Sequence, residues 1–239
     1  MAMFPKTSSA IIGFGIREGT AMLVDAVLGR PSRPRRVLDY IRSNTNPGDP
    51  VAVLEAMDTF ALEQRFLMNV GDVKGMILTR QLMRSAAGNV LELGTYCGYS
   101  AILMGQHLAG NGHVDSVEVQ ADNAAVAREI IEHAGLTDVI TVHIGAAESV
   151  IPQLGKQYQL VFIDHLKSLY LQDLKVIESC KAIGPGSIVV ADNIGMFDAT
   201  GYLDHVRKCG RYENTHYDTH MEYSDNIYDA IEVSVMTPP

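Results

Sequence analysis

The chain has 239 residues, 47% hydrophobic and 20% charged, a composition that places it among folded globular proteins and excludes the disordered and fibrous classes. Its length accommodates one well-cored α/β domain with an N-terminal extension. With 19 Lys and Arg against 28 Asp and Glu, the formal charge of −9 excludes a nucleic-acid backbone as main partner, because such binding rests on clustered basic side chains.

The first apolar run, residues 10–16, is broken by Arg17 and Glu18, and Asp25 interrupts the next, so neither is long enough to span a bilayer. The first run is also short for a signal peptide and lacks a clear small-residue cleavage site after it. Cys97, Cys180 and Cys209 show no CxxC or zinc spacing, so a reduced, cytoplasmic protein is expected. Residues 21–28 have helical apolar spacing and stop at Gly29-Arg30-Pro31-Ser32-Arg33-Pro34. This arm, residues 1–36 with its linker, reads as a short helix. Its apolar face, with Met22, Leu23, Val24 and Val27, suits packing on the body or on a second copy, which would make a homo-oligomer. The basic stretch from Arg30 to Arg36 reads as a solvated linker.

Helices are expected at 37–42 and 51–63, divided by Asn46-Pro47-Gly48-Asp49-Pro50, and again at 73–86. Strands at 90–93, 114–119, 140–144, 160–163 and 187–191 then alternate with helices at 99–108, 122–134, 149–154 and 169–179. That alternation implies an α/β fold, a parallel sheet wrapped by helices. A helix at 200–208 precedes two further strands, 213–223 and 228–236, joined at Ser224-Asp225-Asn226.

Chemistry-bearing residues fall where apolar strand patterns end, the edge at which open α/β sheets bind ligands. Strand 90–93 ends at Gly94, and Gly98 lies just before the next helix, so a ligand can approach the backbone and an anion can meet the helix N–H groups. The spacing is GxxxG rather than GxGxxG, which sets a nicotinamide dehydrogenase at a distance. Glu118 closes the second strand, either as a surface carboxylate or as an acceptor for two ribose hydroxyls. S-adenosylmethionine suits this segment because it has a ribose and an amino-acid carboxylate but no phosphate. Cys97, in the loop, reads as a small buried thiol.

Asp164 follows strand 160–163 and Asp192-Asn193 follows 187–191, so two neighbouring strand ends can aim three oxygens at one point. Either these residues cap and turn the chain, or they hold a hard divalent cation such as Mg²⁺ with room left for a diol. Lys167 stands at the same pocket mouth as a surface cation or as a general base, its pKa lowered by a nearby cation and partial burial. Glu222, in the penultimate strand, is an ordinary strand carboxylate or the group that holds a second hydroxyl. His165 is structural or a cofactor contact rather than a metal ligand.

These segments together resemble the catechol O-methyltransferase family, from about Val37 to the end of the chain. The resemblance rests on Met68-Asn69-Val70-Gly71-Asp72, Leu91-Glu92-Leu93-Gly94 with Tyr96-Cys97-Gly98-Tyr99-Ser100, Asp164-His165 with Lys167, Ala191-Asp192-Asn193, and Thr215-His216-Tyr217 leading to Glu222-Tyr223. It implies a Rossmann-like methyltransferase fold, a seven-stranded, mostly parallel sheet with an antiparallel last strand, over residues 37–239. It further implies that Asp164, Asp192 and Asn193 hold Mg²⁺, that Lys167 is the general base, and that Glu222 binds the hydroxyl that is not methylated. Met68, Val70, Glu92, Gly94, Tyr96, Ser100, Glu118, Val119, Ala147, Glu148 and His165 would then line the S-adenosylmethionine site. Where the family's mammalian members wall the catechol with two tryptophans and a proline, this chain has Phe66, Leu166 and Phe197, with Met68 beside them. Ala147 and Glu148 replace a serine and a glutamine near the adenine.

The expected activity is Mg²⁺-dependent transfer of a methyl group from S-adenosylmethionine to one hydroxyl of a catechol or similar small vicinal diol. A larger natural product with a catechol-like head is the alternative acceptor, and a cofactor-binding interaction protein is the non-enzymatic alternative.

Overall fold

The structure, a computed structural model, describes residues 8–86, 88–108, 110, 112–224 and 226–238, with side chains from residue 11 onward. Four helices come first: α1 (Ser8–Val27), α2 (Arg33–Asn44), α3 (Pro50–Glu63) and α4 (Gly71–Ser85). Alternation follows with β1 (Asn89–Leu93), α5 (Tyr99–Leu108), β2 (His113–Glu118), α6 (Ala121–His133), β3 (Ile140–Ile144), α7 (Ala147–Leu154) and β4 (Leu160–Ile163). A 3-10 turn, Lys167–Leu169, leads into α8 (Tyr170–Ser179), then β5 (Ile188–Ala191), α9 (Thr200–Lys208), β6 (Tyr212–His220) and β7 (Tyr228–Met236).

The strands form one seven-stranded sheet in the order β3-β2-β1-β4-β5-β7-β6. The first five are mutually parallel, and β7 runs antiparallel to both neighbours, β5 and β6. Apolar residues alternate across it: Val90, Phe162 and Val190 pack with Leu38, Met57 and Phe60 on one face, while Leu91, Val161 and Val189 pack with Tyr170, Leu174 and Tyr202 on the other. The order reverses between β1 and β4, which opens a crevice at their carboxyl ends, the usual ligand position in such sheets. Gly94 sits at that point with φ +101°, and a Cβ there would lie 2.5 Å from the Asp164 carbonyl oxygen. Only glycine lets the two strand ends come this close.

The N-terminal region departs from expectation in two ways. Helix α1 is longer than 21–28, because Arg17 and Glu18 do not interrupt it; the Arg17 guanidinium lies 5.5 Å from the Phe14 ring centroid, and Glu18 pairs with Arg33 at 2.9 Å. The basic stretch is not a solvated linker. Ser32 caps α2 with Pro34 in its first turn, and the arginines ion-pair: Arg30 and Arg36 with Asp25 at 3.0 and 2.9 Å, Arg35 with Glu129 at 2.9 Å. Among the described residues, no helix is long and apolar enough to cross a membrane.

Toward the C-terminus β6 ends at His220 rather than at 223, so Glu222 lies in the turn after the strand and not within it. Tyr223, with φ +57°, bends the chain away there. Asp225 of the expected joint lies outside the described residues.

Candidate active site

The carboxyl ends of β4 and β5 bring the expected oxygen donors together. Asp164 follows β4 and Asp192 follows β5, each backbone N–H still bonded to the adjoining strand: Asp164 to Leu93 O at 2.9 Å and Asp192 to Ile163 O at 3.0 Å. Asn193 takes φ +54°, a conformation asparagine tolerates, and its N–H donates to Asp192 Oδ1 at 2.7 Å. Lys167 Nζ donates to Asp164 Oδ1 at 3.1 Å, His165 O at 3.2 Å and Asn193 Oδ1 at 2.9 Å. One ammonium therefore joins both strand ends.

A second lysine, which the sequence reading missed, lies beneath them. Lys74 of α4 is 1% exposed, and its Nζ is 2.9 Å from Asp192 Oδ2, 3.1 Å from Glu222 Oε2 and 3.0 Å from Asp229 Oδ2. Burial alone would push its pKa down, but the three carboxylates outweigh that and hold it well above the usual lysine value. Asp229, fully buried in β7, also accepts from Asn193 Nδ2 at 2.7 Å and from the Met196 N–H at 3.2 Å. The bond from Asn193 Nδ2 fixes the amide so that its oxygen accepts from Lys167.

The donor set fits a hard divalent cation. Asp164, Asp192, Glu222 and Asp229 bring four carboxyl groups around the two lysines, Lys74 and Lys167. Asp192 Oδ2 is buried and, although close to Lys74, accepts no hydrogen bond. Burial pushes the Asp192 carboxyl up to about 8, and Lys74 only partly opposes this. The same cause raises Glu222. Among the described residues no three of His, Cys, Asp and Glu form a metal cluster; the set offered here is two carboxylates and one amide oxygen, a magnesium-type rather than a zinc-type ligand set.

The cofactor segment is built on the neighbouring strand ends. Glu118 Oε2 accepts from the N–H groups of Thr95 and Tyr96 at 3.3 and 2.9 Å, and its Oε1 from the Gln120 N–H at 2.8 Å, so this carboxylate shapes the glycine loop itself. Glu92 is fully buried and accepts from Ser116 Oγ, which in turn meets Thr95 Oγ1 at 2.5 Å. Burial pushes Glu92 up to about 8, against the hydrogen bonds of Ser100 and Ser116. Val119 is exposed at the β2 end, Ala147 and Glu148 form the first turn of α7, and Val70 is buried just before α4. Glu148 accepts from Gln172 Nε2 at 2.5 Å. His165 stacks on Tyr170 at 5.2 Å and bonds Asp173 through Nε2 at 2.6 Å, while its buried Nδ1 has no hydrogen-bond partner.

Above the lysines the expected acceptor wall is open. Met68, Leu166 and Phe197 are each more than half exposed. Lys167 Nζ lies 5.8 Å from the Phe197 ring centroid. Phe66 is half-buried, with its ring edge-on to Phe14 of α1 at 4.8 Å and to Tyr223 at 6.4 Å. Tyr223 is held in turn, donating to Asp58 Oδ1 at 2.6 Å and accepting from Asn69 Nδ2 at 3.1 Å.

This sheet order, with a nucleoside-type loop at the β1 end and an oxygen-lysine cluster beside it, defines a methyltransferase-like α/β protein. Comparison makes the class definite: the O-methyltransferase family model matches residues 49–201. Catechol O-methyltransferase of Mus musculus is 35% identical over 234 residues, covering 96% of this chain and 88% of that protein. The Sus scrofa enzyme of the same name is 40% identical over 177 residues, covering 72% and 95%. The chain belongs to the catechol O-methyltransferase family and is an S-adenosylmethionine-dependent O-methyltransferase. Among solved structures, the O-methyltransferase of Bacillus cereus in complex with SAH shares the fold, with a TM-score of 0.65 at 23% identity over 92% of this chain and 97% of that one.

Proposed function

We propose that the protein methylates one hydroxyl of a catechol or similar vicinal diol, with Mg²⁺ held by Asp164, Asp192 and Asn193. The observation that supports this reading is the linked cluster at the sheet edge, in which Lys167 bonds Asp164 and Asn193, the Asn193 N–H bonds Asp192, and Lys74 joins Asp192 to Glu222. S-adenosylmethionine supplies an electrophilic methyl group, and Mg²⁺ supplies Lewis acidity toward a hydroxyl.

The chain's own residues do the rest. Glu222 accepts a hydrogen bond from the hydroxyl that stays unmethylated and fixes the ring's orientation. Lys167, whose Nζ reaches Asp164 Oδ1 and Asn193 Oδ1, takes the proton from the other hydroxyl through that atom. Glu118 and the Gly94–Gly98 loop hold the nucleoside end, so that donor and acceptor meet in line. Phe66, Met68, Leu166 and Phe197 wall the ring and leave room for substituents, which suits catechols with bulkier tails.

The test is methyl transfer to unsubstituted catechol by purified protein. Monomethylated product that disappears with excess chelator and returns with Mg²⁺ is expected. Full turnover in chelator removes the metal from the reading, and cofactor binding without turnover of any diol removes the enzyme activity on diols.

A further inference from the structure

Asp58, half-buried on α3, joins two segments that the proposed site needs side by side. Tyr99 donates to its Oδ2 at 3.0 Å and Tyr223 to its Oδ1 at 2.6 Å. Tyr99 opens α5 directly after Gly98 of the glycine loop, and the next residue, Ser100, hydrogen-bonds Glu92. Tyr223 directly follows Glu222. Its hydroxyl also accepts from Asn69 Nδ2 at 3.1 Å, which draws in a third segment. Two residues on, Gly71 has φ +68°, and a Cβ there would lie 3.0 Å from Glu222 Cβ. The turn that carries Glu222 is thus gripped both from α3 and from the 69–71 segment.

Burial pushes the Asp58 carboxyl up, and the two phenols oppose this. Burial and the neighbouring Asp58 raise both phenols, so they stay donors across neutral pH. A part-buried carboxylate needs its donors, so moving either tyrosine disturbs the other through the carboxylate they share. Asp58, Tyr99 and Tyr223 are not among the groups assigned above to cofactor, metal or diol, yet together they tie the cofactor loop to the diol-holding turn.

We propose that Asp58 is a positioning residue: by holding Tyr99 and Tyr223 it sets the place of Glu222 relative to the cofactor loop, and so the line along which one hydroxyl meets the methyl group. It acts through Glu222 and touches no reactant. This rests on the diol reading above, because the place of Glu222 bears on the acceptor only if that acid holds a hydroxyl.

The experiment uses the full chain with Tyr99→Phe, Tyr223→Phe, both together, and Asp58→Ala. Each phenylalanine keeps its ring, including the edge-on contact of residue 223 with Phe66, and deletes only the donor. With 4-methylcatechol and saturating cofactor, the readings are kcat, KM and the ratio of the two monomethyl products. Tyr99→Phe, although it lies on the cofactor side, is expected to lower kcat about fivefold or more, as a small misplacement does, and to move the product ratio in the same direction as Tyr223→Phe. The double variant should fall little below the worse single one, because both act through one carboxylate, and Asp58→Ala should match it. Should Asp58→Ala fail to fold, the tyrosine variants decide. An unchanged kcat or product ratio in Tyr99→Phe, or single effects that multiply in the double variant, overturn the assignment. Failure of the native protein to methylate any catechol sinks the diol reading instead. The tie is then decided by hydrogen exchange with S-adenosylhomocysteine as the probe. Slower exchange of the 221–224 amides on binding, lost in Tyr99→Phe, supports it, and an equal response in both proteins or none in the native one overturns it.

Discussion

Lys74 Nζ stands 2.9 Å from Asp192 Oδ2, with both side chains 1% exposed. The same ammonium reaches Glu222 and, through Asp229, governs the Asn193 amide. One buried cation thus sets the position of two proposed metal ligands and of the proposed diol-holding acid. Lys74→Met would leave three carboxylates buried without their counter-charge. Loss of about 3–5 kcal/mol in denaturant unfolding is expected, the scale for breaking a buried ion pair from one side. The deficit should shrink as the pH falls and those carboxyls protonate. A variant as stable as the native protein at pH 7 would show that the cluster is not charged as described.

The fold and the strand-end residues were legible because each depends on local pattern. Apolar runs ending in Gly94, Glu118, Asp164 or Asp192 mark both a strand and its functional edge. Lys74 was missed because a lysine in a helix reads as solvated. A signal was present, since Lys74 shares the buried stripe of Leu78 and Leu82, four and eight residues on, where a charge needs a partner. Asp229, an acid opening an apolar strand, carried the same kind of signal. The placement of Glu222 failed differently: alternation could extend β6 through 223, whereas the chain turns after His220, with the Ser224 N–H donating to Met221 O at 3.1 Å and Tyr223 at φ +57°. The arm's arginines could not be assigned from sequence, because their partners Glu18 and Asp25 are separated from them by the turn that reverses the chain.

The metal assignment predicts linkage as well as activity. Mg²⁺ at 100 times its Kd should raise unfolding free energy by about 2.7 kcal/mol, and Asp192→Ala should abolish that gain along with most turnover. Thermal unfolding with and without Mg²⁺ measures the first part independently of catalysis. A full Mg²⁺-dependent shift in Asp192→Ala would place the ion elsewhere.

A cation at the proposed site would compete with Lys167 for Asp164 Oδ1 and Asn193 Oδ1. Lys167→Ala should therefore leave calorimetric Mg²⁺ affinity equal or tighter while lowering kcat by about 10²-fold or more. A variant that loses Mg²⁺ binding, or keeps full kcat across neutral pH, is inconsistent with a base at this position.

Glu92, pushed up to about 8 by burial, makes a pH prediction. The folded state holds a proton that the unfolded chain, near the ordinary value of 4.5, releases. Stability from this group is complete below the unfolded value and is lost as pH rises toward 8. The slope approaches about 1.4 kcal/mol per pH unit within that window. Glu92→Gln cannot ionise, so its unfolding free energy should fall less steeply between pH 5 and pH 8, read in saturating Mg²⁺ to suppress the parallel contribution of Asp192. Parallel native and variant profiles would mean that Glu92 is already ionised at pH 5.

The acceptor wall gives the last prediction. Leu166 is 65% exposed and Phe197 53% exposed, so an aliphatic group and a single phenyl stand beside Lys167, where the family resemblance of the sequence implies larger flat rings. Ring stacking at such a wall contributes on the order of 0.5–1.5 kcal/mol beyond simple burial, and an isobutyl group forfeits most of it. Small catechols should accordingly show a high KM, and those with a single small ring substituent should give both monomethyl isomers, whereas catechols with apolar tails should show lower KM. Leu166→Trp should restore a flat face, lowering KM for small planar diols up to roughly tenfold and excluding bulkier ones. The proposed diol contact at Glu222 and the proposed metal ligands are not altered by this substitution, so kcat for unsubstituted catechol should change less than KM. Tight and strongly regioselective methylation of a small polar catechol by the native protein would show that the wall is closed by other residues in the working enzyme.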